Sequence, residues 1–347
     1  EAATNRPGSE TQKRRELPEG LARGLPNFWY PILRSGLLRD APVQLERFGE
    51  NLVAWRSSTG APHVFENHCP HRRAPLSLGD IRGDELACSY HGWRFEGSGA
   101  CVAMPLEEPS AQVLARHGVK SYAAADRGGY IWMFYGDPQH VTPLVLPPEL
   151  EDAAWFAFKK EYFWDTNWLN ILDNVMDPLH AIYLHVGAVT QRKRAKFKEF
   201  GVTREDELGF CLGKLGIHED GSVGPVEGEV EFVLPNLVRL DIADGTEDGL
   251  YRVMILPTPI NENSTCAFYV RTRRTTGLWS RFRWQLWWAA HGRSVHKVAA
   301  QDRDILSGLG PIEEARLDEH LARSDIGIVS LRRKVQQAFH TDRIPSQ

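Results

Sequence analysis

The chain holds no apolar run near the roughly 18–20 residues that a membrane-spanning helix needs. It also has no glycine fingerprint of a nucleotide-binding turn. Neither sign of charge dominates: 41 Lys and Arg stand against 45 Asp and Glu, for a net charge of −4. A strong basic field is therefore absent, which argues against nucleic acid or an anionic membrane surface as partner. Cysteine is scarce, with five in 347 residues: Cys69, Cys88, Cys101, Cys211 and Cys266. That count does not make a secreted disulfide scaffold; it fits the reducing cytoplasm, where cysteines stay free or bind metal. No internal repeat is visible. The segment from Glu1 to Gly24 is polar, lacks the apolar stretch of a secretory leader and reads as a mobile arm.

What the chain does have is tryptophan, 11 in all, which fits either core packing or aromatic-lined cavities. At this length about two domains are expected. From Val43 to Tyr135 the pattern is of short strands between Gly, Pro and Asp turns, Asn51–Arg56 and Gly129–Phe134 among them. The proline-rich stretch from Pro138 to Pro148 makes a plausible linker. The expected division is an arm over 1–25, a first domain over 26–137 and a second over 138–347. In the second, a strand around Trp155–Phe163 leads into a helix from Asn167, with Leu169, Leu172 and Met176 at helical spacing. Pro178 should interrupt that helix, with Asp177 as the cap of a new one that Gly187 could close. Residues 229–272 alternate as an antiparallel meander. Helices are expected over Leu278–Leu309 and from Ile328, the latter capped by Asp325. The fold class is α+β: an antiparallel β domain, then an antiparallel sheet with packed helices in a helix-grip-like arrangement.

Two short loops carry the first constellation, Cys69-Pro-His71 and Cys88-Ser-Tyr-His91. Two thiolates on one iron and two imidazoles on the other make a mixed-ligand [2Fe–2S] cluster, in which neutral nitrogen ligands raise the potential. Zinc accepts the same set, but Cys-x-His followed by Cys-x-x-His departs from common finger spacing. Gly92-Trp93, Gly97 and Gly99 supply tight turns beside the second loop.

The second constellation is Asp177-x-x-His180-x-x-x-x-His185. Two imidazoles and a carboxylate on one face, with positions left open, suit an Fe(II) that must bind O2. The spacing is awkward, because residues five apart on an ideal helix point about 140° apart. Both histidines reach one metal only if the helix widens in a π-bulge or frays. Asn174 lies three residues before Asp177, on the same helical face.

The segments CPHRRAPLSLGD and CSYHGWRFEGSGACVAMP resemble the cluster loops of the Rieske non-haem iron oxygenases, ring-hydroxylating enzymes of the alpha-only type. Respiratory Rieske proteins carry an extra cysteine in each loop; Ala74 and Tyr90 stand there in this chain. The resemblance spans about Pro26 to Phe339. It implies a [2Fe–2S] cluster on Cys69, His71, Cys88 and His91, and a mononuclear non-haem Fe(II) on His180 and His185. It places the third iron ligand in Gln301-Asp302-Arg-Asp304, at Asp302, with Asp304 as the alternative. It gives Asp177 the role of joining His180 to the neighbouring subunit's His91, and Asn174 contact with substrate or the iron pocket. The implied partners are O2, an apolar, aromatic small molecule, and a separate ferredoxin or flavin reductase. The implied assembly is a homotrimer, and the implied outcomes are hydroxylation, dihydroxylation or oxidative demethylation. A Rieske electron carrier fused to a non-catalytic binding domain, and a zinc-bearing structural protein, are the other classes the residues leave open.

Overall fold

The computed structural model describes residues 17–185, 199–217, 223–243, 250–317 and 319–341. The chain divides into two compact units, one built on Leu25–Phe158 and the other on Lys159–Asp342 with Glu1–Gly24.

The first unit consists of short strands: β1 (Phe28–Arg34), β2 (Val43–Arg47), β3 (Glu50–Arg56), β4 (Pro62–Glu66), β5 (Asp80–Arg82), β6 (Glu85–Ala87), β7 (Arg94–Glu96), β8 (Cys101–Ala103), β9 (Ser121–Tyr122), β10 (Ala124–Arg127) and β11 (Tyr130–Tyr135). They form three antiparallel sheets, in the orders β2-β3-β4-β9, β5-β6-β7-β8 and β1-β11-β10. The strands expected at Asn51–Arg56 and Gly129–Phe134 are β3 and β11. One core packs Trp55, Phe65, Leu76, Leu86, Trp93, Phe95 and Met104 around Cys69 and Cys88. The proline-rich stretch lies within this unit. Trp29 Nε1 donates to the Thr142 carbonyl at 2.7 Å, which pins the stretch to β1.

In the second unit a seven-stranded antiparallel sheet forms. It contains β12 (Trp155–Trp164), β13 (Glu199–Glu205), β14 (Gly209–Ile217), β15 (Val223–Val233), β16 (Leu237–Ala243), β17 (Leu250–Asn261) and β18 (Ser264–Arg274), in the order β12-β18-β17-β16-β15-β14-β13. Cross-strand pairs such as Phe232 with Val238 and Leu256 with Phe268 place apolar side chains opposite one another, which is how a sheet is stabilised. The meander is wider than the alternation over 229–272 indicates. In β13 and β14, Gly201, Gly209 and Gly213 interrupt the period on which such a reading depends. The link between β16 and β17 lies outside the described residues. The turn at Asn261–Ser264 is closed by Asn261 Oδ1, which accepts from Asn263 N–H at 3.0 Å and Ser264 Oγ at 2.9 Å.

The helix Trp168–Val175 begins where Asn167 Oδ1 accepts the Leu169 N–H at 3.0 Å, an ordinary N-cap. Asn167 Nδ2 also donates to the Ala22 carbonyl at 2.9 Å, and Leu21 and Ala22 are buried. The helix stops before Pro178, as its missing N–H requires. The next helix, His180–Leu184, starts two residues later than an Asp177 cap implies. Asp177 Oδ1 does accept the Leu179 N–H, at 2.9 Å, but Pro178 and Leu179 form a turn instead of a first helical turn. Gly187 lies outside the described residues. The long helix Leu278–Leu306 and the last helix Ile326–His340 follow. Asp325 stands at the cap position of the last helix, yet its carboxylate turns back to accept from the Ala322 N–H at 2.6 Å. Among the described residues, no helix is long and apolar enough to cross a membrane.

Asp173 locks the helix Trp168–Val175 in place. It is buried and accepts from Arg316 Nη2 at 3.0 Å and Arg332 Nη2 at 2.6 Å. Arg332 also holds Glu319. Removing one partner of a buried pair strands the other's charge, at a cost of about 3–5 kcal/mol. Asp173→Ala should lose stability of that order in urea unfolding. A loss below about 1 kcal/mol, the range of exposed pairs, would show that the network does not hold the helix.

Candidate metal centres

The two cysteine loops repeat one backbone design. In the first, Cys69 N–H donates to the Ala74 carbonyl at 2.9 Å and the Cys69 carbonyl accepts from Arg73 N–H at 2.8 Å. In the second, Cys88 N–H donates to the Trp93 carbonyl at 2.8 Å and the Cys88 carbonyl accepts from Gly92 N–H at 2.9 Å. The fourth residue after each cysteine is left-handed, with φ 58° at Arg73 and 74° at Gly92. Glycine suits that conformation; Arg73 adopts it under the same pair of hydrogen bonds.

The ligand types separate by this design. Cys69 and Cys88 are buried, and Cys88 stands close enough to Cys69 to act on its thiol. The rings of His71 and His91 meet at 4.5 Å, with His71 exposed and stacked on Trp93 at 4.6 Å. The four groups do not converge on one point: among the described residues, only His180, His185 and Asp302 form such a group of three. Sulfur paired with sulfur and nitrogen with nitrogen suits two irons with different ligands and not one tetrahedral zinc. Burial, reinforced by the neighbouring Cys88 and partly opposed by the His71 N–H, pushes the Cys69 thiol up to about 12. Thiolates form here when a cation replaces the proton. All five cysteines are free of disulfides.

In the second unit, the ligand atoms of His180, His185 and Asp302 lie within 4.8 Å of one another. Asp302 Oδ1 is 3.5 Å from His180 Nε2 and 3.3 Å from His185 Nε2. The five-residue spacing is resolved by fraying, with no bulge. The helix ends at Leu184, and His185 takes φ −96° and ψ 24°, so its ring crosses that of His180 at 83° and 5.2 Å. Asp304 is exposed and pairs with Arg303 Nη2 at 2.7 Å, so Asp302 is the acid that joins the histidines.

The far nitrogens set the ring states. His180 Nδ1 donates to the Asp177 carbonyl, and His185 Nδ1 lies 3.1 Å from Gln301 Oε1. With Nδ1 protonated on both rings, both Nε2 lone pairs face the carboxylate. Asp302 Oδ1 is buried with no hydrogen-bond partner. Three electron-rich atoms facing one another call for a cation, and two imidazoles with one carboxylate are the facial set of a non-haem Fe(II). Without a cation, protons on the imidazoles would take its place. Burial pushes Asp302 up, but hydrogen bonds and charge from His180 and His185 outweigh it and hold the carboxyl below its usual range. Burial pulls His185 down, but Asp302 and Gln301 outweigh it and raise the imidazole.

Asp177 is half-buried, with Oδ2 3.8 Å from His180 Nδ1. Asn174 is half-buried, and its carbonyl accepts the Asp177 N–H at 3.2 Å. Sequence reasoning gave no role to Gln301. The signal was available: an amide beside the ligand carboxylate, of the kind that orients a ligand imidazole. Trp284 is buried and stacks on Trp287 at 4.9 Å, as core packing requires.

A family profile described as "Rieske [2Fe-2S] domain" matches residues 28–123, and one described as "Vanillate O-demethylase oxygenase C-terminal domain" matches residues 164–341. Aminopyrrolnitrin oxygenase PrnD of Pseudomonas fluorescens is 32% identical over 320 residues, 82% of this chain and 84% of that protein. Protein TIC 55, chloroplastic, of Arabidopsis thaliana is 30% identical over 234 residues, 63% of this chain. The match spans only 42% of that relative's own length. A solved complex between oxygenase and ferredoxin in carbazole 1,9a-dioxygenase shares the fold, with a TM-score of 0.73 at 20% identity over 92% of this chain and 90% of that one.

The two centres should fail separately. Cys69→Ser is expected to abolish the visible absorbance of the cluster, and His185→Ala to keep it while losing the third iron. Loss of absorbance in His185→Ala, or its survival in Cys69→Ser, would break the assignment of ligands to centres.

Proposed function

The chain belongs to the Rieske non-haem iron oxygenases, and we propose that it is the terminal oxygenase component of such a system. The observation that carries this reading is the buried Asp302 oxygen facing two imidazole nitrogens with no hydrogen to accept. When bound, the cluster supplies single electrons and the mononuclear iron activates O2 for hydroxylation, dihydroxylation or oxidative demethylation.

The chain's own residues do the rest. Cys69, Cys88, His71 and His91 hold the cluster, with the histidines toward solvent and the thiols in the core. Tyr90, Leu78 and Leu106 are exposed apolar side chains of the same unit, and the partner that meets this unit is a separate ferredoxin or flavin reductase. A ferredoxin is the partner in the carbazole dioxygenase complex. His180, His185 and Asp302 hold the iron on one face, and Asp177 and Gln301 keep the imidazole protons on the far nitrogens. Asp177 accepts from the neighbouring subunit's His91, and the working assembly in this proposal is a homotrimer. Asn174 borders the iron pocket. The substrate is an apolar, aromatic small molecule, in line with the aromatic side chains between the sheet and the long helix. Free cysteines throughout support a cytoplasmic setting.

A Rieske electron carrier with a non-catalytic second domain is the weaker reading, because it gives the His180, His185 and Asp302 group nothing to do. Incubation with a ferredoxin–reductase pair, an aromatic substrate panel and labelled O2 tests the proposal by mass spectrometry. Label should enter a product with wild type. Asp177→Asn should still accept electrons at the cluster while labelled product collapses. Absence of label from every product, or full turnover by Asp177→Asn, would count against the oxygenase and the bridge respectively.

A further inference from the structure

The first turns of the long helix Leu278–Leu306 carry large apolar side chains that no core covers. Leu278 is 85% exposed and Trp279 72%, and Phe282 and Leu286 are also exposed. At 3.6 residues per turn these four fall within about 100° of the helix circumference. Trp284 lies on the opposite side, where it is buried and its ring meets that of Tyr251 on β17 at 5.6 Å. On the outward face the rings of Trp279 and Phe282 stack on each other at 5.6 Å. Ala289 and Ala290 continue that face, and both are exposed. Contiguous exposed apolar side chains mark an interaction site, where scattered ones need no explanation.

The charge around this face has one sign. From Asn263 to Gln301 the chain has seven Lys and Arg and no Asp or Glu, although its net charge is −4. Arg274 just before the helix, Arg283 on the flank of the apolar face and Arg293 two turns beyond Leu286 are all exposed. The first turn of the helix holds no acid. The whole-chain balance, which argues against an anionic surface, therefore averages over an uneven distribution.

We propose that the segment Leu278–Leu286 docks the protein onto an anionic lipid bilayer. Leu278, Trp279, Phe282 and Leu286 would enter the boundary between headgroups and acyl chains, where Trp, Phe and Leu anchor interfacial helices. Arg274, Arg283 and Arg293 would meet the anionic headgroups. A second copy presenting the same face would set arginine against arginine, which is costly. A protein partner would need pockets matched to side chains this far exposed, whereas a bilayer receives them without matching. The cytoplasmic leaflet carries anionic lipid, and an apolar substrate of the proposed class partitions into the same phase. Docking goes beyond the oxygenase reading and does not rest on it.

Cosedimentation of the holoenzyme with lipid vesicles tests it. Vesicles of equimolar phosphatidylcholine and phosphatidylglycerol should bind about tenfold or more tighter than phosphatidylcholine alone, and added salt should weaken the binding. The double variant Trp279→Ser, Phe282→Ser should keep its visible absorbance, since both positions are exposed. It should lose about tenfold or more in affinity for the mixed vesicles. Arg274→Gln with Arg283→Gln should narrow the preference for the anionic lipid. No binding to the mixed vesicles, or equal binding to both kinds, would overturn the proposal. Binding that survives the Trp279 and Phe282 substitutions unchanged would reduce the face to plain charge attraction and overturn it as well. Light scattering addresses the other occupant: a fall in molar mass in the Trp279 and Phe282 variant would assign the face to a second copy and overturn the proposal. No electron or oxygen step enters, so failure here leaves the oxygenase reading standing.

Discussion

A buried carboxylate oxygen held against two imidazole lone pairs is the constraint on which the second unit turns. In water such a group would be solvated or protonated. Here Asp302 is 7% exposed and His185 4% exposed, and the far nitrogens are occupied by Asp177 and Gln301. A divalent cation turns the mutual repulsion into coordination, and deprotonation of the ligands is coupled to its binding. The surrounding architecture serves this arrangement. Asp173 fixes the preceding helix through two arginines, the break at Pro178 reorients the chain, and the long helix delivers Asp302 from one turn short of its end.

The first unit solves a different problem with the same economy. Two loops with matching hydrogen bonds place a cysteine in the core and a histidine toward solvent, twice. The Cys69 thiol faces an apolar environment that resists its ionisation, while His71 is exposed and His91 half-buried. The proposed electron-carrying centre and the proposed dioxygen centre therefore fall in different compact units, each with ligands suited to its task.

Legibility in the sequence followed locality. The cluster loops could be read because all four ligands fall within two short segments of distinctive spacing. His180 and His185 could be read as a pair, and the conflict between their spacing and an ideal helix pointed to fraying or a bulge; the structure chose fraying. Asp302 stood out only by resemblance, since nothing near it in the chain marks it. Gln301 shows locally only as an amide beside the ligand acid, because its partner His185 lies 116 residues away in the chain. The strands β13 and β14 were missed because glycines dilute their alternation, and they are held by pairing across the sheet. Asp177 and Asp325 read as helix caps, but each side chain found a nearer N–H in a turn.

The account stands on two unlike iron centres in one chain. Iron and acid-labile sulfide counted per polypeptide in the purified protein test this most directly. The predicted result is about three irons and about two sulfides per chain. About two irons with two sulfides would leave the histidine–aspartate group without its metal, and zinc without sulfide would remove both centres.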